Sequence, residues 1–94
     1  MPGFRIGQVV TSKAGRDAGR SFVVLKIEET RVVLADGDVR KVENAKRKNV
    51  RHLIPHEFVS ESIQSRIGRG DRVTNAELRR TIETWRRETA GEER

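Results

Sequence analysis

The sequence has no cysteine and no tyrosine, and only one tryptophan, three phenylalanines and two prolines. Without cysteine there are no disulfides, thiolate metal sites or cysteine nucleophiles, which fits a reducing compartment. So few aromatic rings provide no stacking platform for single-stranded nucleic acid. No apolar run approaches the ~18 residues of a membrane span. The start "MPGFRIGQVV" lacks the pattern of a signal peptide, so we expect a cytoplasmic protein.

Positive charge is what the chain has in excess. Its 94 residues include 20 Lys and Arg against 14 Asp and Glu, a net charge of +6, and only 34% are apolar. This length and composition allow one small domain with a small core. A small basic protein attracts polyanions, of which nucleic acid is the commonest, although such charge can also simply keep a surface solvated.

Short segments rich in β-branched residues predict five strands. They are residues 6–13, 20–28, 31–35, 39–43 and 50–54. The centre of the second strand, "VVL", is apolar on both faces, as expected for a strand inside a barrel. "DGD" at 36–38 predicts a tight hairpin turn, "NAKRKN" at 44–49 a basic loop, and Pro55 the end of the fifth strand.

Five short strands joined by tight turns predict a small closed or half-closed β-barrel, followed by a helical extension. A short helix over 57–67 is ambiguous, but a second helix over about 75–90 has a clear start. Thr74 and Glu77 have the spacing of a capping box. We therefore predict a barrel domain over 1–55, and a linker plus helix over 56–94.

One stripe of the second helix is apolar. Leu78, Ile82 and Trp85 share a face at helical spacing. This face can pack against the barrel or dock on a partner protein, and the sequence leaves both possibilities open.

The residues do not assemble a catalytic set, and we expect neither an enzyme nor a cofactor. His52 and His56 have helical metal-ligand spacing, but Pro55 between them disfavours a helix. We therefore expect no metal site there. Three aspartates of the β region, Asp17, Asp36 and Asp38, lie in predicted turns, and turn chemistry explains them better than acid–base chemistry does.

Two basic clusters are stronger signals. The first consists of Lys13, Arg16 and Arg20 around Gly15 and Gly19; the second consists of Arg40, Lys41, Lys46, Arg47, Lys48 and Arg51, with one Glu among them. Cations laid on phosphates release counterions, so such clusters favour salt-sensitive binding to nucleic acid. Glycine lets the backbone approach a phosphate closely, although both glycines are also explained by turn geometry.

The stretch "GQVVTSKAGRDAGRSFVVLKI" resembles the KOW motif, a strand, a glycine-containing loop and a second strand that begin a small Src-homology-3-like barrel. The following "VVLADGDVRKVENAKRKNVRHL" is similar to the continuation in ribosomal proteins of the L14e type from the large subunit, and in their small bacterial relatives. The resemblance covers about residues 6–54, and residues 56–94 depart from the ribosomal proteins.

The resemblance implies a five-stranded KOW-type barrel that binds RNA, commonly ribosomal RNA, without catalysis. It implies RNA contacts at the residues that match the motif and the basic stretch: Lys13, Gly15, Arg16, Gly19, Arg20, Lys46, Arg47, Lys48, Arg51 and His52. To these the charge pattern adds Arg40 and Lys41. Two other functions remain open, a protein-interaction module that uses the helix stripe, and a DNA-binding protein.

Overall fold

The structure is a computed structural model that describes residues 3–92 of the chain. Five strands form one antiparallel sheet in the order β4-β3-β2-β1-β5, with bounds β1 Gln8–Ser12, β2 Ser21–Ile27, β3 Arg31–Ala35, β4 Lys46–Asn49 and β5 Leu53–Val59. Two helices follow, α1 Glu61–Gly68 and α2 Asn75–Glu92. The predicted fold class, mainly β with a C-terminal helical extension, is confirmed.

The sheet is curled but not closed. Its edge strands β4 and β5 are joined only by the 3-10 helix Val50–His52. The edges of a flat five-stranded sheet would lie about 19 Å apart, whereas three residues of 3-10 helix advance only about 6 Å. The sheet therefore has to bend until its edges approach. Among the described residues no ladder joins β4 to β5, so the barrel stays open.

Two apolar cores lie on opposite faces of this sheet. The first core is built from strand residues: Val10, Phe22, Val24, Val32, Leu34 and Leu53. The second core joins the sheet to the helical part: Val23, Ala35, Ile63, Val73, Leu78 and Ile82. Successive side chains of a strand point to opposite faces, so the adjacent Val23 and Val24 enter different cores. This confirms that the "VVL" segment is apolar on both faces.

The fourth strand does not lie where the sequence predicts it. Residues 39–43 form an irregular connection, and β4 occupies Lys46–Asn49, within the predicted basic loop. The Asp36 carboxylate accepts the backbone N–H groups of Asp38 (2.9 Å) and Arg40 (2.8 Å). Asn75 Oδ1 accepts the N–H of Val42 at 2.7 Å. Side chains thus take backbone donors that a ladder would need, so strand pairing begins only at Lys46.

The fifth strand is also displaced. The predicted strand at 50–54 begins as a 3-10 helix, and β5 runs through Pro55 to Val59. Proline is tolerated because β5 is an edge strand whose only ladder in the described chain is with β1. β5 crosses the domain boundary predicted at residue 55, and that division of the chain stays a prediction.

The helices begin at capped residues. Glu77 N–H donates to Thr74 Oγ1 (3.2 Å) and Thr74 N–H donates to Glu77 Oε1 (3.1 Å), which confirms the capping box. α1 begins at Glu61 rather than at residue 57, since β5 continues to Val59 and Ser60 Oγ accepts the N–H of Ile63 (3.2 Å). No helix within residues 3–92 combines the length and apolar character needed to cross a membrane.

Candidate nucleic-acid interface

The loop between β1 and β2 carries the first basic cluster, and its backbone is tightly held. Gly15 and Gly19 have φ of +76° and +86°, a conformation that other residues rarely adopt. Gly19 N–H donates to Ser12 O at 2.7 Å, and Ser12 N–H donates to Arg20 O at 2.8 Å. The hairpin thus closes at its base. Both glycines are required by the loop's geometry, and the loop exposes Lys13, Arg16 and Arg20.

Part of the second basic cluster contacts this loop. Lys46 and Lys48 lie opposite Leu34 and Val32 of β3, so both side chains leave β4 on one face. Lys46 Nζ lies 2.9 Å, and Lys48 Nζ 3.6 Å, from Oδ2 of Asp17 in the loop. Lys48 Nζ also donates to Ala14 O at 3.1 Å. The two basic clusters, which are separate in the chain, are therefore joined at Asp17.

These contacts change the roles of the two lysines. The Lys48 side chain is only 9% exposed and its ammonium is already paired, whereas Lys46 is 38% exposed. Lys48 therefore helps to hold the loop, and its predicted contact with RNA stays a prediction.

Arg47 points away from this contact. Strand alternation places it on the other side of β4, where its Nε donates to Glu28 Oε1 at 3.1 Å. Glu28 partly neutralises its charge. The run Lys46–Arg47–Lys48, continuous in sequence, is thus divided between two environments.

The remaining residues of the second cluster lie outside β4, in the connection before it and in the 3-10 helix after it. Arg40 is half-buried and donates through Nη1 to Asn44 O at 3.3 Å, and Lys41 is exposed. Arg51 and His52 are exposed on the 3-10 helix that joins β4 to β5. Lys13 N–H donates to His52 O at 2.9 Å, which attaches that helix to the loop.

Within the two basic clusters, five exposed cations have no ion-pair partner among residues 3–92, and we call them the basic surface: Lys13, Arg16, Arg20, Lys41 and Arg51. They come from the loop, from the connection that follows β3 and from the 3-10 helix that follows β4. Hydrogen bonds hold the loop at its base and join it to His52 of that 3-10 helix. Such an arrangement can bind a polyanion through phosphates.

The electrostatics around Asp17 fit this arrangement. The hydrogen bond from Lys46 lowers the pKa of the Asp17 carboxyl, against the opposing effect of burial. The positive charges of Lys46, Lys48 and Arg40 lower this pKa further. The cations around Asp17 therefore favour its ionised form. The sequence predicts a turn role for Asp17, and its backbone carbonyl does accept the Arg20 N–H at 2.8 Å. The ion pairs of its side chain were not predicted.

Other neighbours of the loop were missed by sequence reasoning. Arg20 lines a surface depression beside α2, together with Asp38, Arg79 and Arg86. Arg79 Nη1 also donates to Gly37 O at 2.6 Å. No local pattern could have revealed this proximity, since α2 is brought to the loop by the second core.

The two histidines occupy different surroundings. His52 is exposed, whereas the half-buried His56 has Nε2 2.7 Å from Thr11 Oγ1 and its ring 4.6 Å from that of Trp85. Burial lowers the pKa of the His56 imidazole. Within residues 3–92, no group of three or more His, Asp or Glu side chains is placed to hold a metal ion.

The apolar stripe of α2 packs on the sheet. Leu78 and Ile82 are buried in the second core, and the half-buried Trp85 packs beside them. This favours the packing role over the docking role that the sequence left open.

Comparison with known proteins supports part of the predicted relation. Over 56 residues the chain is 36% identical to the large ribosomal subunit protein eL14 of the archaeon Desulfurococcus amylolyticus, and this stretch is 58% of each chain. The chain is thus related in sequence to an L14e-type ribosomal protein, as the motif order predicts, but matches less than two thirds of that relative's length. No protein-family model matches the chain, and the KOW assignment stays a prediction.

Proposed function

We propose that this chain is a non-catalytic RNA-binding protein that acts in the cytoplasm on structured ribosomal RNA. The observation that carries the proposal is the basic surface, which consists of exposed, unpaired cations of the hydrogen-bonded loop and of two further segments. The similarity to a ribosomal protein supports ribosomal RNA as the partner. Binding is mainly to phosphates and to RNA shape, because the chain has too few aromatic rings to stack bases.

The first test is the salt dependence of binding. A folded fragment of large-subunit ribosomal RNA should bind, and the logarithm of its association constant should fall linearly with the logarithm of salt concentration. Fluorescence anisotropy with labelled RNA measures this slope. A flat dependence contradicts the phosphate mechanism. A duplex DNA of equal length serves as competitor, and equal competition would instead favour the DNA-binding alternative.

The second test localises the interface. Arg16→Ala and Arg51→Ala remove exposed cations of the basic surface, and each should weaken binding and reduce the salt slope by about one. Arg80→Ala is the matched control, because Arg80 is equally exposed but lies on α2 beside Phe58 and Ile63. Equal weakening by all three variants would indicate a diffuse charge effect and would contradict a localised interface.

The choice of variants follows from the ion pairs. Replacing Lys46 or Lys48 would also remove the contacts with Asp17. A loss of binding in those variants could come from a lost phosphate contact or from a displaced loop, and the measurement would not separate the two causes. The protein-interaction alternative has less support, because two of the three apolar residues of its expected docking stripe are buried in the second core.

A further inference from the structure

A carboxylate such as that of Asp17 is unexpected on a surface that binds a polyanion. It places a negative charge, ionised at neutral pH, at the junction of the two basic clusters. Simple charge counting predicts that its removal would strengthen RNA binding. Its contacts indicate the opposite.

The carboxylate of Asp17 is a bridge between two elements. It lies at the end of the 3-10 helix Gly15–Asp17 in the loop, and both lysines that it contacts lie on β4. The side chain of Asp17 is only 16% exposed, so these contacts are shielded from water more than a surface ion pair is. Hydrogen bonds to ionised groups of this kind are the stronger ones.

The two lysines contact the loop in different ways. Lys48, almost buried, donates to Ala14 O, and a Cβ built on Gly15 would lie 3.8 Å from its Nζ. Its ammonium therefore lies directly under the loop. Lys46 makes the shorter contact with Asp17 at 2.9 Å and stays partly exposed. Together they attach the loop to β4.

We propose that Asp17 is the positioning residue of the RNA interface, which holds the loop on β4 so that Lys13, Arg16 and Arg20 face phosphates from fixed places. This inference rests on the proposed RNA-binding function. Without the carboxylate, the loop keeps its contacts through Ala14 O and the Lys13 N–H but loses its ion pairs with β4, and the two lysine ammonium groups lose their anionic partner. The three cations then have to be ordered at the moment of binding, which reduces affinity.

The test replaces Asp17 with a neutral residue of the same shape. Asp17→Asn should bind the ribosomal RNA fragment roughly tenfold more weakly than the parent, although it carries one more positive charge. Glu43→Gln is the matched control, because it makes the same change of charge within the second basic cluster. Glu43 accepts a hydrogen bond from Asn75 Nδ2, which glutamine can also accept, and makes no ion pair within residues 3–92. Glu43→Gln should bind as tightly as the parent or more tightly.

A second measurement reports on the loop without RNA. Trypsin cleaves after Lys13 and Arg20, at bonds of the loop that do not border position 17, and mass spectrometry identifies the products. Asp17→Asn should be cleaved there several-fold faster than the parent, whereas Glu43→Gln should not. Asp17→Glu keeps a carboxylate and should restore both protection and affinity toward the parent values.

The outcomes separate this inference from the proposed function. If Asp17→Asn binds RNA more tightly than the parent, charge rather than position governs the surface and the inference is overturned. If Asp17→Glu is cleaved and binds like Asp17→Asn, the carboxylate is not the holding group, which also overturns it. If the parent itself does not bind the RNA at any salt concentration, the proposed function fails, whatever trypsin shows of the loop.

Discussion

At the scale of single residues, Gly37 shows how one missing side chain joins the sheet to the helices. Its φ is +79°, and a Cβ built on it would collide with the carbonyl of Asn75 and come within 3.1 Å of Leu78 Cβ. The turn after β3 can therefore approach the start of α2 only with glycine at this position. The sequence identified Asp36-Gly37 as a turn, but the close approach to α2 is visible only in the structure.

Gly37→Ala should destabilise the protein more than Gly19→Ala does. Both residues have positive φ, which costs a non-glycine residue about 1–3 kcal/mol. A Cβ at Gly19 would have nothing within 4 Å, whereas a Cβ at Gly37 would displace the backbone of α2. Urea unfolding measures the free energy of unfolding of both variants. The difference between them reports the cost of the close approach between the turn and α2, because both share the cost of positive φ. Equal losses would contradict the tight contact between turn and helix.

His56 should make stability depend on pH. Burial lowers the pKa of its imidazole, so the unfolded chain binds a proton more readily than the folded protein does. The free energy of unfolding is therefore highest above the unfolded pKa of about 6.5 and falls as the pH drops below it.

The comparison that isolates His56 uses two variants. Between pH 7.5 and pH 5.5, His56→Gln should lose less stability than the parent, while His52→Gln should follow the parent because His52 is exposed. Thermal or urea unfolding at the two pH values provides the measurement. A loss in the His56→Gln variant as large as in the parent would rule out His56 as the source.

At the scale of elements, local sequence patterns predict the start of a helix better than they predict the position of a strand. The capping box at Thr74 and Glu77 is a pattern of neighbours and appears as predicted. β4 and β5 depend on partners far away in the chain, so the segment 39–54 was misassigned. The reason is that both a strand and an irregular connection satisfy the same apolar pattern, and hydrogen-bond partners such as Asn75 decide between them.

Thr74→Ala should destabilise the protein by about 1 kcal/mol, since the first turn of α2 loses the hydroxyl that accepts the N–H of Glu77. Thr74→Ser keeps that hydroxyl and is the control, with a smaller expected loss. Chemical unfolding followed by far-UV circular dichroism compares the three proteins. Equal stability of the alanine and serine variants would contradict a role of the cap.

At the scale of the whole molecule, the sheet is shared by two cores. Val23 and Val24 are adjacent in β2 yet belong to different cores. A strand that contributes to both faces cannot lose one core without exposing apolar surface on the other side of the same backbone. We therefore expect the sheet and helices to unfold together.

Leu78→Ala and Leu34→Ala test this coupling, one in each core. Each should cost about 2–5 kcal/mol, a large part of the stability of a small domain. Unfolding curves from Trp85 fluorescence and from far-UV circular dichroism should coincide in both variants. Two separated transitions would contradict the shared sheet and would support independent units divided near residue 55.

The sequence by itself determined the properties that depend on composition and on neighbours. These are the excess of positive charge, the mainly β class with a C-terminal helix, the glycine loop, the helix cap and the candidate RNA-binding segments. The sequence shows the two basic clusters only as separate stretches, because the order of residues does not give their distance in space.

Only the tertiary structure decided which of those cations are exposed and which are already paired. The curl of the sheet brings β4 to the loop, so that Lys46 and Lys48 meet Asp17 while Arg47 turns to Glu28. Whether a charge is exposed or neutralised depends on contacts over a few ångströms between segments distant in the chain. For that reason the strongest basic run in the sequence became partly a support for the loop, and the basic surface is formed by cations from three segments.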